Sequence, residues 1–162
     1  MIQPVVKVAL QRADVAALLK ADPELAAAPV VRALLLRPEV LATAVLRRFQ
    51  DGAVVWQQGD EGQSLGLVMK GQAQLAARRD TDRADLGAAV KGDVVGESEV
   101  LNNAPQRSLS VIARGPVEVL EVPRDALLLH GAVPGPLAKE LERVQAARAR
   151  ALDDMSDFLN RW

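Results

Sequence analysis

The apolar residues fall into three successive patterns along the chain. Over residues 5–48, Val31, Leu34, Leu35, Leu41, Val45 and Leu46 recur at helical spacings. Asp22-Pro23, Ala28-Pro29 and Arg37-Pro38 each put a proline where a first helical turn accepts one. This pattern predicts two to four short helices over 5–48. From Phe49 the runs become short and rich in Val and Leu. Ala53–Gln57, Ser64–Lys70, Gln72–Arg78, Leu86–Val90, Leu109–Ala113 and Val117–Val122 are of strand length, with Gly59-Asp60, Gly62, Gly71, Gly92-Asp93 and Gly115-Pro116 reading as turns between them. Such spacing predicts an antiparallel barrel, roll or sandwich. Arg78–Asp85, the most polar stretch, reads as a solvated hairpin tip.

Beyond Pro123 the helical pattern returns. Arg124–His130 predicts a short helix, Gly131–Gly135 a break, and Pro136 the opening of a long helix reaching Trp162, about 40 Å from end to end. Leu137, Leu141, Val144, Ala151, Met155, Phe158 and Trp162 alternate spacings of four and three along it, with Arg148 as the charged interruption. This stripe packs either on the chain's own β part or against a second copy, which would give a homodimer.

Composition narrows the chemistry. The 162 residues carry 20 Lys+Arg against 21 Asp+Glu, so no basic excess argues for polyanion binding. There is no Cys and no Tyr, and His130 is the only His. These counts argue against a zinc site and a disulfide framework, and they lean from an enzyme towards a binding or interaction domain. His130 stands at a predicted helix end, where a capping role is favoured. Asp153-Asp154 reads as a solvated acidic turn, and Trp56 as core. No segment has the form of a signal peptide or the ~20 apolar residues of a membrane span. The cytoplasm is therefore the expected location.

The chemically informative segment is 94–111, Val-Val-Gly-Glu-Ser-Glu-Val-Leu-Asn-Asn-Ala-Pro-Gln-Arg-Ser-Leu-Ser-Val. A strand ends at Val95, Gly96 permits a tight turn, and a short helix begins near Glu97. A helix start behind a glycine offers unpaired backbone N–H groups to an anion. Ten residues on, Arg107 supplies a guanidinium suited to phosphate, and Ser108 a hydroxyl. Glu97 would repel a phosphate but can accept from a ribose hydroxyl. Without a ligand, Glu97 and Arg107 could instead pair with each other across the loop.

This segment resembles the phosphate-binding cassette of cyclic-nucleotide-binding domains, a family that includes regulatory subunits of cyclic-AMP-dependent kinase and the bacterial catabolite activator protein. Phe49-Gln50-Asp51-Gly52, Gln57-Gln58-Gly59-Asp60, Leu67-Val68-Met69-Lys70-Gly71 and Gly92-Asp93-Val94-Val95-Gly96-Glu97 extend the resemblance across about residues 49–125. It implies an α+β fold: an antiparallel, jelly-roll-like β-roll of about eight strands, flanked by N-terminal helices and a long C-terminal helix. The chain 1–162 then reads as one domain with a helical segment 1–48, a roll 49–125 holding the cassette 94–111, and C-terminal helices 126–162.

The resemblance also implies roles for particular residues. Gly96 and Ser98 would present backbone to the cyclic phosphate and ribose, and Glu97 would accept from the ribose 2′-hydroxyl. Arg107 would pair with the phosphate, Ser108 with the phosphate or the base edge, and Leu109 would line the same site. Ser98 and Glu99 replace an apolar residue followed by Ala or Gly in the usual pattern, and Leu109 replaces an Ala. A second acid facing the anion site would oppose a phosphate. The function implied is a non-enzymatic sensor that binds cyclic AMP or cyclic GMP and signals by conformational change to a protein partner. No helix-turn-helix for DNA, metal or further cofactor is expected. The alternative is a roll without nucleotide binding that serves as an interaction or assembly module.

Overall fold

The computed structural model describes residues 6–9, 12–79 and 82–160, with side chains described over 15–78 and 82–154. It is an α+β fold in which an antiparallel sheet is preceded and followed in the chain by helices that pack together on one side of it. The order is β1 (Val6–Ala9), α1 (Arg12–Ala21), α2 (Pro23–Ala27), α3 (Pro29–Leu35), α4 (Pro38–Leu41), β2 (Val45–Phe49), β3 (Val54–Trp56), β4 (Leu65–Arg79), β5 (Asp82–Val90), β6 (Val94–Val95), α5 (Glu97–Asn102), β7 (Ser110–Val122), α6 (Arg124–Leu127) and α7 (Gly135–Asn160).

Prolines open α2, α3 and α4, and the Asp22 carboxylate caps α2 by accepting from Glu24 and Leu25 N–H. Two segments within the expected helical region are strands instead. Val45–Phe49 pairs with Val117–Glu121, and Val6–Ala9 pairs with Val45–Arg48. A short apolar run has no fixed preference of its own, and the free edge of β7 decides it.

Seven strands form one sheet among the described residues, against about eight expected, in the order β1-β2-β7-β4-β5 with β3 on β7 and β6 on β4. The expected turns at Gly71 and Gly115-Pro116 are bends inside two continuous strands. Pairing runs from Leu65–Val68 against Val119–Val122, shifts register on both sides of the Lys70–Glu118 pair, and resumes from Gln72–Ala76 against Ser110–Arg114. Gly71 has φ +78° and lies on the Pro116 carbonyl, where a Cβ would not fit. The two irregular points face each other, so both long strands cross the fold without breaking.

Alternation along β4 divides the core. Leu65, Leu67 and Met69 pack with Leu19, Leu34, Leu41, Leu120 and Leu141 beneath the helices. Val68, Ala73 and Leu75 face the roll interior with Phe49, Val55, Trp56, Val111 and Val119. The first half of α7 docks on the helical side through Leu137 and Leu141, with Val144 packed against the same cluster. This places the beginning of the C-terminal stripe on the chain's own core. The side chains of Met155 and Phe158, and all of Trp162, lie outside the described residues.

The short helix after Pro123 stops at Leu127, three residues short of its expected end, with Leu128 as its C-cap. His130 is therefore not a cap but sits in the following turn at φ 53°. β4 and β5 pair out to Arg79 and Asp82, so the described part of the polar stretch, 78–79 and 82–85, lies on two paired strands, while Asp80 and Thr81 of the expected tip lie outside the described residues. Asp153 and Asp154 are exposed, and no helix among the described residues is long and apolar enough to cross a membrane.

Candidate functional site

The site is built where β6 ends. Gly96 takes φ 85°, and a Cβ there would lie 2.6 Å from the Ser64 carbonyl and 2.9 Å from Arg107 Nη1. A side chain at 96 is thus excluded twice, by conformation and by contact. α5 starts at the next residue, and Asn103 ends it in the left-handed region at φ 54°. Gln63 Nε2 donates to Asn103 Oδ1 and the Ala104 carbonyl, and Arg124 Nε donates to the Val100 carbonyl. These bonds fix both the helix and the loop behind it.

The loop returns along residues 59–62. Gly59 N–H donates to the Arg107 carbonyl at 2.8 Å, Arg107 N–H to the Asp60 carbonyl at 2.7 Å, and Gly62 N–H to the Pro105 carbonyl at 3.1 Å. Arg107 is thereby aimed inward with only 4% of its surface exposed. Its Nη1 donates to the Ser64 carbonyl at 2.8 Å and to Glu99 Oε1 at 3.5 Å, while Nη2 donates to Ser64 Oγ at 2.7 Å. The guanidinium carbon lies 3.4 Å from the centroid of the Trp56 ring. Trp56 Nε1 in turn donates to Glu121 Oε1, which also accepts from Arg47. Burial pushes the Arg107 guanidinium below its ordinary pKa, and the Glu99 carboxylate opposes that shift.

Glu97 and Glu99 are 3% and 2% exposed, so one short helix places two carboxylates inside the protein. Each has a different cation. Glu99 meets Arg107, and its Oε2 accepts from Ser108 Oγ at 3.1 Å. Glu97 Oε2 accepts from Arg148 Nη1 of α7 at 2.6 Å. A second bond from α7, Gln145 Nε2 to Ser98 Oγ at 3.2 Å, lies beside it. Burial raises the Glu97 pKa above the ordinary carboxylate value, and Arg148 works against that rise. Arg148 and Gln145 thus connect the C-terminal helix directly to the start of α5.

The structure brings Gly96, Glu97, Ser98, Arg107 and Ser108 into one region. Glu97 and Arg107 do not pair with each other, as each is held by a different partner. Leu109 is half-buried immediately before β7. Sequence reasoning missed Ser64, the acceptor for both Arg107 Nη groups, and Arg148, noted only as an interruption of the apolar stripe. That interruption was the available signal: a charge on an otherwise apolar helix face needs a buried partner. Trp56 is core, as expected, yet its ring also forms one wall against Arg107.

Comparisons with known proteins bear on this arrangement. The family model described as "Cyclic nucleotide-binding domain" matches residues 46–129. The cAMP-dependent protein kinase regulatory subunit of Mycosarcoma maydis is 30% identical over 109 residues, covering 66% of this chain and 21% of its own length. The solved structure of cAMP-bound PfPKA-R superposes with a TM-score of 0.71 at 20% identity, covering 90% of this chain and 48% of that one. The guanosine-bound regulatory subunit of a cAMP-independent protein kinase A from Trypanosoma cruzi gives 0.60 at 22% identity, covering 72% and 40%. The chain thus spans about a fifth of the curated relative and less than half of each of these two solved chains.

Proposed function

The chain belongs to the cyclic nucleotide-binding domain family, and from that premise we propose that it is a regulatory domain that takes a ribose-bearing ligand at residues 96–108 and reports it through α7. The observation that carries this reading is Glu97. It is 3% exposed, follows directly on the Gly96 turn, and its Oε2 is held by Arg148 of α7. A buried carboxylate is costly unless hydrogen-bonded donors satisfy it, and ribose hydroxyls are donors of the right kind. Because Arg148 and Gln145 cover α5, a ligand hydroxyl reaches Glu97 only when that part of α7 moves. Occupancy would then change the surface that α7 offers to a protein partner, as a population shift between two positions of the helix.

Cyclic AMP and cyclic GMP are the ligands the family suggests, and the guanosine-bound relative from Trypanosoma cruzi widens the class to nucleosides. Calorimetric titration of the chain with adenosine, guanosine, cyclic AMP and cyclic GMP tests the reading. Saturable binding of at least one, weakened tenfold or more by Glu97→Ala, is the expected result. No saturable heat with any of the four, or equal affinity in the variant, overturns it. A second reading, an interaction module that binds no nucleotide, is favoured by one observation: Arg107 already has Glu99 and Ser64 as partners within the chain. The same titration decides between the two.

A further inference from the structure

The feature the ligand reading leaves unused is Glu99. Its side chain is 3% exposed, and it occupies the two groups best suited to an anionic ligand: Oε1 faces Arg107 Nη1 at 3.5 Å and Oε2 accepts from Ser108 Oγ at 3.1 Å. Arg107 is otherwise satisfied by Ser64 alone among the hydrogen bonds of its side chain, and its face is closed by Trp56. Glu99 is therefore the carboxylate in direct contact with this guanidinium, with Glu121 acting on it from farther away.

We infer that Glu99 determines the charge of the ligand this cassette accepts: its carboxylate supplies from within the chain the anion that Arg107 and Ser108 hold, so the site takes an uncharged nucleoside in preference to the corresponding cyclic nucleotide. The inference rests on the ligand-binding reading above and specifies its ligand class. The physical reason is crowding of like charge. A phosphate contacting Arg107 and Ser108 comes within about 4 Å of the Glu99 oxygens, where two anions shielded from water repel strongly enough to lower affinity by at least about tenfold. A nucleoside brings its ribose to Glu97 and leaves the Glu99–Arg107 pair intact. The sequence carries the same message, since Glu99 stands two residues after Glu97 and eight before Arg107. One helix turn thus holds an acceptor for ribose and a built-in substitute for phosphate.

The test compares the intact chain with Glu99→Gln, which keeps the side-chain shape and removes its charge, and with Glu99→Ala. Each is titrated calorimetrically with the pairs adenosine and cyclic AMP, and guanosine and cyclic GMP. The intact chain is expected to bind a nucleoside at least tenfold more tightly than its cyclic nucleotide. Both variants are expected to gain at least tenfold for the cyclic nucleotide and to reverse that order. Thermal unfolding supplies a second readout if Glu99→Ala does not fold. In Glu99→Gln the Arg107 charge lacks its partner, so cyclic nucleotide should raise the melting temperature of this variant more than that of the intact chain, and nucleoside should not. An intact chain that prefers cyclic nucleotides, with affinities unchanged in Glu99→Gln, overturns the inference and leaves the ligand-binding reading standing. No binding of any of the four by any of the three proteins overturns both.

Discussion

Replacing Arg148 by alanine isolates the link between α7 and the cassette. In the native chain Arg148 Nη1 lies 2.6 Å from Glu97 Oε2, with side-chain exposures of 15% and 4%. Removing one member of a fully buried ion pair costs about 3–5 kcal/mol, because the remaining charge is left without a partner. Arg148 sits at the edge of the protein, so water enters where its side chain leaves, and the expected loss is about 2 kcal/mol near neutral pH. The pH dependence has a definite sign. Burial holds the Glu97 pKa above its ordinary value in the folded chain. The folded state therefore binds this proton more tightly than the unfolded state does. Stability from this group is full below the unfolded pKa and declines as pH rises through the folded one. Arg148 restrains that decline, so Arg148→Ala deepens it. Urea unfolding followed by far-ultraviolet circular dichroism should show the penalty at about pH 7.5 and little of it at about pH 4, where Glu97 is protonated in both proteins. A penalty of equal size at both pH values, or one below about 0.5 kcal/mol at the higher pH, would refute the assignment of Arg148 as the charge partner of Glu97.

Other expectations follow from the same geometry. Gly96→Ala forces a side chain into the left-handed region and against the Ser64 carbonyl, so urea unfolding should show a loss of at least about 2 kcal/mol. Leu141→Ala empties a fully buried position that docks α7 on the helical core, with an expected loss of about 2–5 kcal/mol in the same assay. That variant should also speed amide exchange in α7 while leaving exchange in β4 at the rate set by global unfolding.

What could be read from the sequence was mostly local. Proline at the first turn of α2, α3 and α4, and glycine at 96, act through their own backbone, and each produces what its chemistry predicts. What could not be read depends on distant pairing. Val45–Phe49 becomes a strand because β7, about seventy residues later, offers it hydrogen bonds. Gly71 looks like a turn because its φ is that of a turn; only the facing bend at Gly115-Pro116 lets the strand continue through it. The candidate site divides in the same way. Gly96, Glu97, Arg107 and Ser108 lie in one contiguous segment and were legible together. Ser64 lies 43 residues from Arg107, and Arg148 lies 51 from Glu97, so no motif joins them. Glu99 was visible as a departure from the family pattern, but its pairing with Arg107 and Ser108 emerges only from the fold.

The central claim is that a ligand at the cassette is felt by α7 through Glu97. Hydrogen–deuterium exchange of the intact chain, alone and saturated with each of adenosine, guanosine, cyclic AMP and cyclic GMP, tests it most directly. With the ligand that binds, slower exchange is expected in residues 96–108 and faster exchange in α7 around Gln145 and Arg148, as these release Ser98 and Glu97. A change confined to residues 96–108 with α7 unaltered, or no change in either segment with any of the four, would contradict it.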